Sequence, residues 1–511
     1  MTRLRRRRGR ASFIVWMVAL GTVGLAAAGY RFGILGGDGR APDPQISPRA
    51  AASPADEGKR PRPPSPSAEP INTEVAGLTT FRGNATRTYY GEGPVPRRAE
   101  VLWRFPPQGG MCSRSSDEEG TRLWCGTGWT GQPNVVETED GRTEVRFGAY
   151  DGAVHILDAG TGEEMYEPFP TGDLIKGTVT SDPEGYPLLY TGSRDNYLRI
   201  LALDRGNRPL ELWSLSSDSA PDPVWNNDWD GSPLVIGDYL LEGGENSWFY
   251  VIRLHRGYDD RGLVTVRPKV RVVVPGYDDQ LLAELGDSEV SIEGSVAFDD
   301  GVAYFANSGG LVQGWDISDV LEGGRDHERV FRFWTGEDTD ATVVVDEEGA
   351  LYVASELERR DARSTEVGQL LKLDPGRPRD PVVWDIPVPG EGGGAGGMWA
   401  TPALYEDALF VTTNTGRLLA VDRDRGTVAW EIPLAPPAWS SPAVVDGVLV
   451  VGDCAGTLHA FDLRPNPLAA EPRERWAVDL GGCIESTPAV WKGAVYVGTR
   501  GGAVYAVGRP S

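Results

Sequence analysis

The 511-residue sequence has few of the residues on which most enzyme chemistry depends, with four Cys, four His and five Met. It contains no G-x-S-x-G elbow, P-loop, H-E-x-x-H or C-x-x-C motif. His155 and His459 occupy equivalent third-strand positions of the repeat described below, which indicates packing rather than a role as a base. We therefore expect no catalytic residue, no metal site and no bound cofactor.

Lysine is also scarce, with five Lys against 45 Arg, and the formal net charge is −24. The first 40 residues contain eight Arg and one Asp, so residues 41–511 carry about −31. Such a surface repels phosphate backbones, which argues against nucleic-acid binding and favours basic or cationic partners. Solubility alone is the alternative explanation of the charge.

The N-terminus has the pattern of a membrane-targeting segment. A basic tail (residues 1–10) precedes an apolar stretch (11–30), and the positive-inside rule places the tail in the cytoplasm. We expect a single-pass signal-anchor in the cell membrane with the rest of the chain extracytoplasmic. Cleavage after Ala26-Ala27-Ala28, which would release a secreted protein, is the alternative. The Pro/Ser/Ala-rich residues 31–77 are expected to form a disordered linker.

A repeat fills residues 78–511. All units but the first begin with a Ser or Thr, often followed by Pro, and the units continue through four short strands separated by turn residues. The eight starts are spaced 40 to 63 residues apart, at Gln132, Thr178, Ser232, Ser295, Thr342, Thr401, Ser441 and Thr487. This period predicts an all-β, eight-bladed β-propeller.

The two ends of the repeat array are predicted to close the ring together. The last unit has three strands, whereas Val101–Phe105 near the start is a strand without a unit and carries the Trp typical of fourth strands. Pairing these strands removes the free edges of the sheet. Fourth-strand tryptophans at matching points are expected to pack between blades, namely Trp103, Trp213, Trp334, Trp384, Trp430 and Trp476.

The four cysteines of an exported protein should be paired. Cys112 and Cys125 both lie in the connection that enters the first blade. Cys454 lies in a turn between second and third strands, and Cys483 lies in the connection to the next blade. Because strands alternate in direction, those two segments share one face of the propeller, so the predicted disulfides are Cys112–Cys125 and Cys454–Cys483.

Three segments resemble the pyrroloquinoline-quinone (PQQ)-like repeat family: FRGNATRTYYGEGP at 81–94, LDAGTGEE at 157–164 and VDRDRGTVAWEI at 421–432. That family includes quinoprotein dehydrogenases, BamB-like assembly proteins and other exported propellers. The resemblance implies the fold across residues 78–511. In the dehydrogenases it also implies a disulfide between adjacent cysteines and a calcium site, and this sequence has neither pattern.

Residues two positions before each Ser or Thr start are expected to ring the mouth of the central channel. These candidate binding residues are Lys176, Asp230, Glu293, Asp340, Trp399, Trp439 and Glu485, with residues 225–229 adding to the same rim. Carboxylates beside indoles suit a cation, a basic peptide segment or a sugar stacked on Trp. A mouth lined only by residues that tolerate water is the alternative.

We therefore expect a membrane-anchored extracytoplasmic scaffold or sensor, without chemistry of its own, that binds a protein partner or small ligand at the channel face. A PQQ-dependent dehydrogenase is one alternative. A carbohydrate- or cell-wall-binding propeller that uses Trp399 and Trp439 is another.

Overall fold

The computed structural model describes residues 70–71, 74–117, 120–129, 131–390, 392 and 394–509. The predicted tail (1–10), the predicted membrane segment (11–30) and all of the predicted linker (31–77) before residue 70 lie outside the described residues. Among the residues described, no helix has the length and apolar character needed to cross a bilayer.

The described chain is an eight-bladed β-propeller, and five strands precede the first complete blade. These strands are β1 (Gly77–Leu78), β2 (Gly91–Glu92), β3 (Glu100–Phe105), β4 (Cys112–Asp117) and β5 (Gly120–Cys125). Blade 1 is formed by β6 (Asn134–Glu137), β7 (Thr143–Gly148), β8 (Ala153–Asp158) and β9 (Phe169–Pro170). Blade 2 is formed by β10 (Thr180–Ser181), β11 (Leu188–Thr191), β12 (Tyr197–Ala202) and β13 (Leu210–Ser216), followed by a 3-10 turn at Ser217–Ser219.

Blades 3 to 5 contain insertions between their strands. Blade 3 consists of β14 (Leu234–Ile236), β15 (Tyr239–Gly243), β16 (Trp248–Arg253) and β19 (Lys269–Pro275), with the inserted hairpin β17 (Gly257–Tyr258) and β18 (Val264–Thr265). Helix α1 (Asp279–Leu285) leads to blade 4, which contains β20 (Ala297–Asp299), β21 (Val302–Phe305), β22 (Leu311–Asp316), α2 (Ser318–Leu321) and β23 (Glu328–Trp334). Blade 5 contains β24 (Val344–Val345), β25 (Leu351–Ala354), β26 (Glu356–Leu357), α3 (Ala362–Val367), β27 (Leu370–Leu373) and β28 (Val382–Ile386).

The last three blades are the most regular. After β29 (Gly396–Gly397), which pairs with β26, blade 6 consists of β30 (Ala403–Tyr405), β31 (Ala408–Thr412), β32 (Arg417–Asp422) and β33 (Thr427–Pro433). Blade 7 consists of β34 (Ala443–Val445), β35 (Val448–Gly452), β36 (Thr457–Asp462) and β37 (Arg473–Asp479). Blade 8 contains β38 (Ala489–Trp491), β39 (Ala494–Thr499) and β40 (Ala503–Gly508).

Strand β3 supplies the fourth strand of blade 8, as the sequence predicted. It runs antiparallel to β40, with Glu100 opposite Gly508 and Phe105 opposite Val504. The N-terminal part of the described chain therefore closes the ring.

The Ser and Thr residues that start the repeats form a hydrogen-bonded ring around the channel. In six consecutive links from blade 1 to blade 7, the backbone N–H of one starting residue donates to the hydroxyl of the next, at 2.9–3.1 Å. The backbone N–H of Thr487 donates to the carbonyl of Gly131 at 3.1 Å and joins blade 8 to blade 1. Six starting hydroxyls therefore couple blades 1 to 7 at the axis, namely those of Thr178, Ser232, Ser295, Thr342, Thr401 and Ser441.

Residues 76–92, here called the plug, add to the inner ends of the blades on the far side of this ring. Strand β1 pairs with β6 of blade 1, and β2 runs parallel to β38 of blade 8. Between them, plug carbonyls accept from the backbone N–H groups of Ser181, Phe298 and Val345 in blades 2, 4 and 5. The plug therefore makes backbone contacts with blades 1, 2, 4, 5 and 8.

Two fully buried arginines anchor the plug. Arg82 donates to the carbonyls of Pro402, Thr401 and Pro442 at 2.6–2.9 Å, and Arg87 donates to that of Val296. Burial lowers the pKa of Arg82 to about 10 and that of Arg87 to about 9. The two side chains thus connect the plug to blades 4, 6 and 7.

Fourth-strand tryptophans pack between blades. The indole N–H of Trp103 donates to Ala159 of blade 1, and that of Trp384 donates to Arg423 of blade 6. Trp334 corrects the prediction of six matching positions. It pairs with Leu311 at the end of β23, and Phe331, opposite Gly314, takes the equivalent position in blade 4.

Both predicted disulfides are present. Cys112–Cys125 joins β4 to β5, and Cys454–Cys483 joins the turn after β35 to the connection that enters blade 8. The second disulfide therefore links the last two blades at the channel mouth.

The two third-strand histidines pack against aromatic rings, as predicted, but each also contacts carboxylates. His155 stacks on Phe147 and lies 2.7 Å from Glu164 and 3.1 Å from Asp151. Burial opposes protonation of His155, yet these carboxylates raise its pKa to about 9. His155 therefore contributes an ion pair as well as ring packing between the strands.

Candidate functional site

The seven predicted mouth residues, here called the mouth ring, lie in the connections that enter blades 2 to 8. Each connection is fixed two residues later by the Ser/Thr hydrogen bonds, so the side chains recur at the same height around the axis. Contacts link most of them into one belt. The neutralised, acidic and aromatic parts of this belt differ in chemistry.

Lys176 neutralises one side of the mouth. Its ammonium forms an ion pair with Asp230 and lies 3.7 Å from Glu245. Burial alone would raise the pKa of Asp230, but Lys176 lowers it. Beside this pair, Arg194 donates to Asp228 at 2.6 Å. Two cations therefore serve three buried carboxylates in this sector.

Glu293 connects this side to blades 4 and 5. Its Oε1 accepts hydrogen bonds from the hydroxyls of Ser291 at 2.6 Å and Ser308 at 3.2 Å. The Ser308 hydroxyl also lies 3.4 Å from Oδ1 of Asp340. Burial raises the pKa of Glu293.

Asp338, Asp340 and Glu356, together with Glu293, form what we call the acidic sector. One carboxylate oxygen from each of Asp338, Asp340 and Glu356 lies within 4.8 Å of the others. Burial and then mutual repulsion raise the pKa of Asp338 to about 8 and hold those of Asp340 and Glu356 well above their usual values. Among the described residues, none of these four carboxylates has a salt bridge within 4.0 Å.

The acidic sector has the donor set of a cation site, because hard cations and ammonium groups both prefer carboxylate oxygens. Oδ1 of Asp338 is buried and has no hydrogen-bond partner. The same is true of Oδ1 of Asp230 and Oε1 of Glu245 in a second three-carboxylate group, although Lys176 already serves that group.

Three indoles form the aromatic part of the mouth. Trp399 packs on Trp439 with ring centres 4.5 Å apart and meets Trp129 edge-on at 5.9 Å. Lys176 lies 5.1 Å over the ring of Trp129. The Trp439 N–H donates to Asn414, whose amide lies 3.4 Å from Glu356. The aromatic residues therefore join the neutralised side to the acidic sector.

Glu485 completes the ring from blade 8. Its carboxylate lies 3.2 Å from Arg500, and the guanidinium of Arg500 stacks 4.8 Å over both Trp124 and Tyr150. Burial would lower the pKa of Arg500, but Glu485 raises it. This predicted acid is thus already paired, in contrast to the acidic sector.

Sequence reasoning missed a second ring of mouth residues. These residues follow the second strand of each blade at the same position of the repeat, and they are Tyr150, Arg194, Glu245, Ser308, Glu356, Asn414, Cys454 and Arg500. The signal was available, because the turn containing Cys454 had already been placed on the mouth face. Trp129 and Asp338 were also missed, and they lie next to ring residues in the connections between blades.

Comparisons with known proteins support the repeat type. Residues 299–510 match a family model described as the outer membrane protein assembly factor BamB. BamB of Salmonella typhimurium is 30% identical over 104 residues, or 20% of this chain and 25% of that protein. The match thus spans about a quarter of that curated relative's length.

One of two similar solved structures supports the propeller architecture. The quinohemoprotein alcohol dehydrogenase of Comamonas testosteroni aligns with a TM-score of 0.53 and 12% identity, over 85% of this chain and 81% of that one. BamB of Moraxella catarrhalis aligns with a TM-score of 0.38 and 11% identity, over 81% and 98% of the two chains. The PQQ-like repeat type is thus supported for residues 299–510, the part of the chain that the family model matches.

Proposed function

We propose that this protein is a non-catalytic binding scaffold whose acidic sector receives a cationic side chain, Lys or Arg, from a partner protein. In this proposal residues 11–30 anchor the chain in the cell membrane and the propeller lies outside the cytoplasm. The partner binds the mouth face, where connections between blades present the mouth ring.

The unneutralised acidic sector is the observation that carries the proposal. Placing several carboxylates side by side in a buried site costs free energy, and their raised pKa values express this cost. A cation that reaches the site is attracted by the carboxylates and also reduces the repulsion between them. Both effects favour its binding.

One contact within the protein has the geometry that we propose for the partner's cationic side chain. Lys176 forms an ion pair with Asp230 while its ammonium lies over the Trp129 ring. Carboxylates combined with an indole face recognise an ammonium or guanidinium better than either group alone, since the ring adds a cation–π attraction. The acidic sector lies beside the same aromatic group, and no cation of the described residues lies within 4.0 Å of its carboxylates.

A protein partner is favoured over a free ion for two reasons. The mouth combines carboxylates with aromatic surface, which a hydrated metal ion does not need. The matching relative is named an assembly factor, a description that implies contact with other proteins. A divalent cation bound to Asp338, Asp340 and Glu356 is the competing outcome.

Cross-linking of the full-length membrane protein followed by native purification tests this function. The wild type is compared with a variant in which Asp338→Asn, Asp340→Asn and Glu356→Gln are combined. A matched control, Asp326→Asn with Asp380→Asn and Glu471→Gln, removes three exposed carboxylates elsewhere. We expect one defined protein to be captured by the wild type and the control and lost from the acidic-sector variant. Equal capture by all three proteins would refute the proposed site.

A PQQ-dependent dehydrogenase is the second candidate, because one structural neighbour is a quinohemoprotein alcohol dehydrogenase. The residues present do not match what that resemblance implies. The two disulfides join cysteines 13 and 29 positions apart rather than adjacent ones. Trp399 packs on Trp439 with ring centres 4.5 Å apart, which leaves no room for a planar ligand between the two indoles. PQQ-dependent reduction of an artificial electron acceptor, with Ca²⁺ present, would nevertheless support this candidate over the scaffold.

The carbohydrate alternative uses the same indoles. It predicts glycan binding that is lost in Trp399→Ala and retained in the acidic-sector variant. The scaffold proposal predicts instead that partner binding is lost in the acidic-sector variant.

A further inference from the structure

A cleft of about 710 Å³ lies on the face opposite the mouth. Its walls include the Asp446 turn between the first and second strands of blade 7 and Arg464 in the turn before the fourth strand. Strands alternate in direction, so these turns lie at the far end from the Ser/Thr ring. The cleft therefore lies between blades 7 and 8, away from the proposed partner site.

Arginines dominate this cleft. Arg97, Arg98, Arg464, Arg475 and Arg509 line it, and Arg473 lines an adjoining space of about 300 Å³ with Arg464 and Arg475. We call this group the arginine cleft. The carboxylates in the two linings are those of Glu100, Asp446 and Asp462.

The positive charge of the arginine cleft is only partly compensated. Arg464 and Arg475 share Asp462, at 2.9 and 3.0 Å, and their hydrogen bonds hold the pKa of this carboxyl far below its usual range. Among the residues that the structure describes, Arg97, Arg98, Arg473 and Arg509 have no acidic partner, and all four are exposed. Six arginines against three carboxylates give a local excess of positive charge in a protein of net charge −24.

The floor of the cleft is rigidly held. The carbonyl of Pro96 accepts a hydrogen bond from the Trp476 indole at 2.8 Å, and that of Val95 accepts from Arg475 at 3.4 Å. Val95 and Pro96 are both buried. The arginines at 97 and 98 thus follow directly from a fixed stretch of chain, which limits their backbone freedom in the free protein.

We propose that the arginine cleft binds a compact phosphate-bearing ligand. Guanidinium groups bind phosphate oxygens in a bidentate manner, and several of them around a site of this size suit a diphosphate or a phosphorylated headgroup. An extended polyanion is disfavoured, because the acidic surface beyond the cleft repels charges that lie outside it. The phosphate comes from a free small molecule or from an anionic lipid headgroup, which present the same chemistry.

Calorimetric titration of the full-length protein with inorganic pyrophosphate tests this proposal. We expect saturable binding that weakens as NaCl increases, since salt screens the attraction. The combined variant Arg97→Gln, Arg473→Gln and Arg509→Gln should bind at least about tenfold more weakly, because three charge-assisted hydrogen-bond donors are removed. Its melting temperature should match that of the wild type, since these side chains are exposed and unpaired.

Arg379→Gln is the matched control, because Arg379 is exposed in the corresponding turn of blade 5 but lies outside the cleft. It should bind pyrophosphate as the wild type does. The acidic-sector variant should also bind normally, so failure of the mouth proposal leaves this one intact. Absence of pyrophosphate binding, or equal binding by the cleft variant, overturns the proposal.

Vesicles distinguish the source of the phosphate. Binding to phosphatidylglycerol vesicles but not to phosphatidylcholine vesicles, with competition by pyrophosphate and loss in the cleft variant, identifies a lipid headgroup. Pyrophosphate binding without vesicle binding identifies a free ligand. Tighter binding of duplex DNA than of pyrophosphate contradicts the choice of a compact ligand.

Discussion

Arg82 and Arg87 have no exposed surface. Main-chain carbonyl oxygens accept most of the hydrogen bonds that their guanidinium groups donate. A guanidinium is suited to this role because its fixed donors can reach carbonyls of different blades at once. The lowered pKa values show that burial of these charges costs free energy. The hydrogen bonds offset part of that cost, although Nε of Arg82 is buried without a hydrogen-bond partner among the described residues.

Replacing Arg82 with Met should therefore destabilise the protein by about 3–5 kcal/mol, since buried carbonyls of blades 6 and 7 lose their donors. Denaturant unfolding followed by tryptophan fluorescence measures this change. Arg379→Met, at an exposed site, should change stability by less than about 0.5 kcal/mol. Similar values for the two variants would show that the plug is not anchored through Arg82.

The acidic sector has the opposite energetics, because it favours binding at the expense of stability. A carboxyl whose pKa is raised on folding takes up a proton that the unfolded chain has released. The free energy of unfolding therefore falls as pH rises from about 4, where unfolded Asp begins to ionise, to about 8, where folded Asp338 ionises.

Asp338→Asn should thus raise stability by about 1–3 kcal/mol at pH 8 and have little effect at pH 4. Thermal unfolding at the two pH values measures both numbers. Asp380→Asn, at an exposed site, serves as the control and should show no such pH dependence. Loss of stability in Asp338→Asn at pH 8 would mean that the carboxylate is already compensated.

Periodicity explains which residues were predictable at this scale. The mouth ring repeats at a fixed distance from a Ser or Thr, so its positions could be read from the sequence. The plug occurs once, and nothing in FRGNATRTYYGEGP indicates that its arginines turn inward to carbonyls more than 200 residues away. Ion pairing also could not be predicted, because it depends on which side chains meet across blades.

At the scale of single elements, the turn between β32 and β33 explains the Asp and the Gly that precede a fourth strand in the repeat. Asp422 accepts hydrogen bonds from the N–H groups of Asp424 and Arg425, which shapes the turn. Gly426 then adopts φ +62° beneath the Trp384 ring of the preceding blade. An added Cβ would lie 2.4 Å from that ring.

Gly426→Ala should destabilise the protein by about 2–4 kcal/mol, because backbone strain and a clash with Trp384 act together. Gly237→Ala isolates the first effect, since Gly237 has φ +48° in open space, and it should cost about 1 kcal/mol. Equal losses of stability for the two variants in chemical denaturation would contradict the packing of Trp384 against Gly426 of the next blade.

The strands of the regular blades were predictable because turn residues bracket each of them. Blade 4 was misread at Trp334 because residue type alone does not fix register. The structure places a β-bulge between Gly314 and Trp315, and Phe331 rather than Trp334 lies beside it. Insertions such as β17–β18 and α3 have no counterpart in other repeats, so the repeat gives no information about them.

For the whole molecule, closure and charge distribution are the main features. Closure through β3 was predictable, because β3 belongs to no repeat unit and the last repeat unit has only three strands. Pairing the two completes the last blade. The distribution of charge was not, since the net charge suggests a uniformly acidic surface. Instead, an unneutralised acidic sector lies at the mouth, and an arginine cleft lies on the opposite face.

The central claim is that the acidic sector binds a cationic side chain, and calorimetric titration with the tripeptide Lys-Arg-Lys tests it most directly. At pH 8 the full-length wild type should bind the peptide saturably, and binding should weaken at pH 6 because Asp338, with a pKa of about 8, is then protonated. The Asp338→Asn, Asp340→Asn, Glu356→Gln variant should lose this binding while the exposed-carboxylate control retains it. Equal affinity in the variant, or no binding by the wild type, would contradict the account.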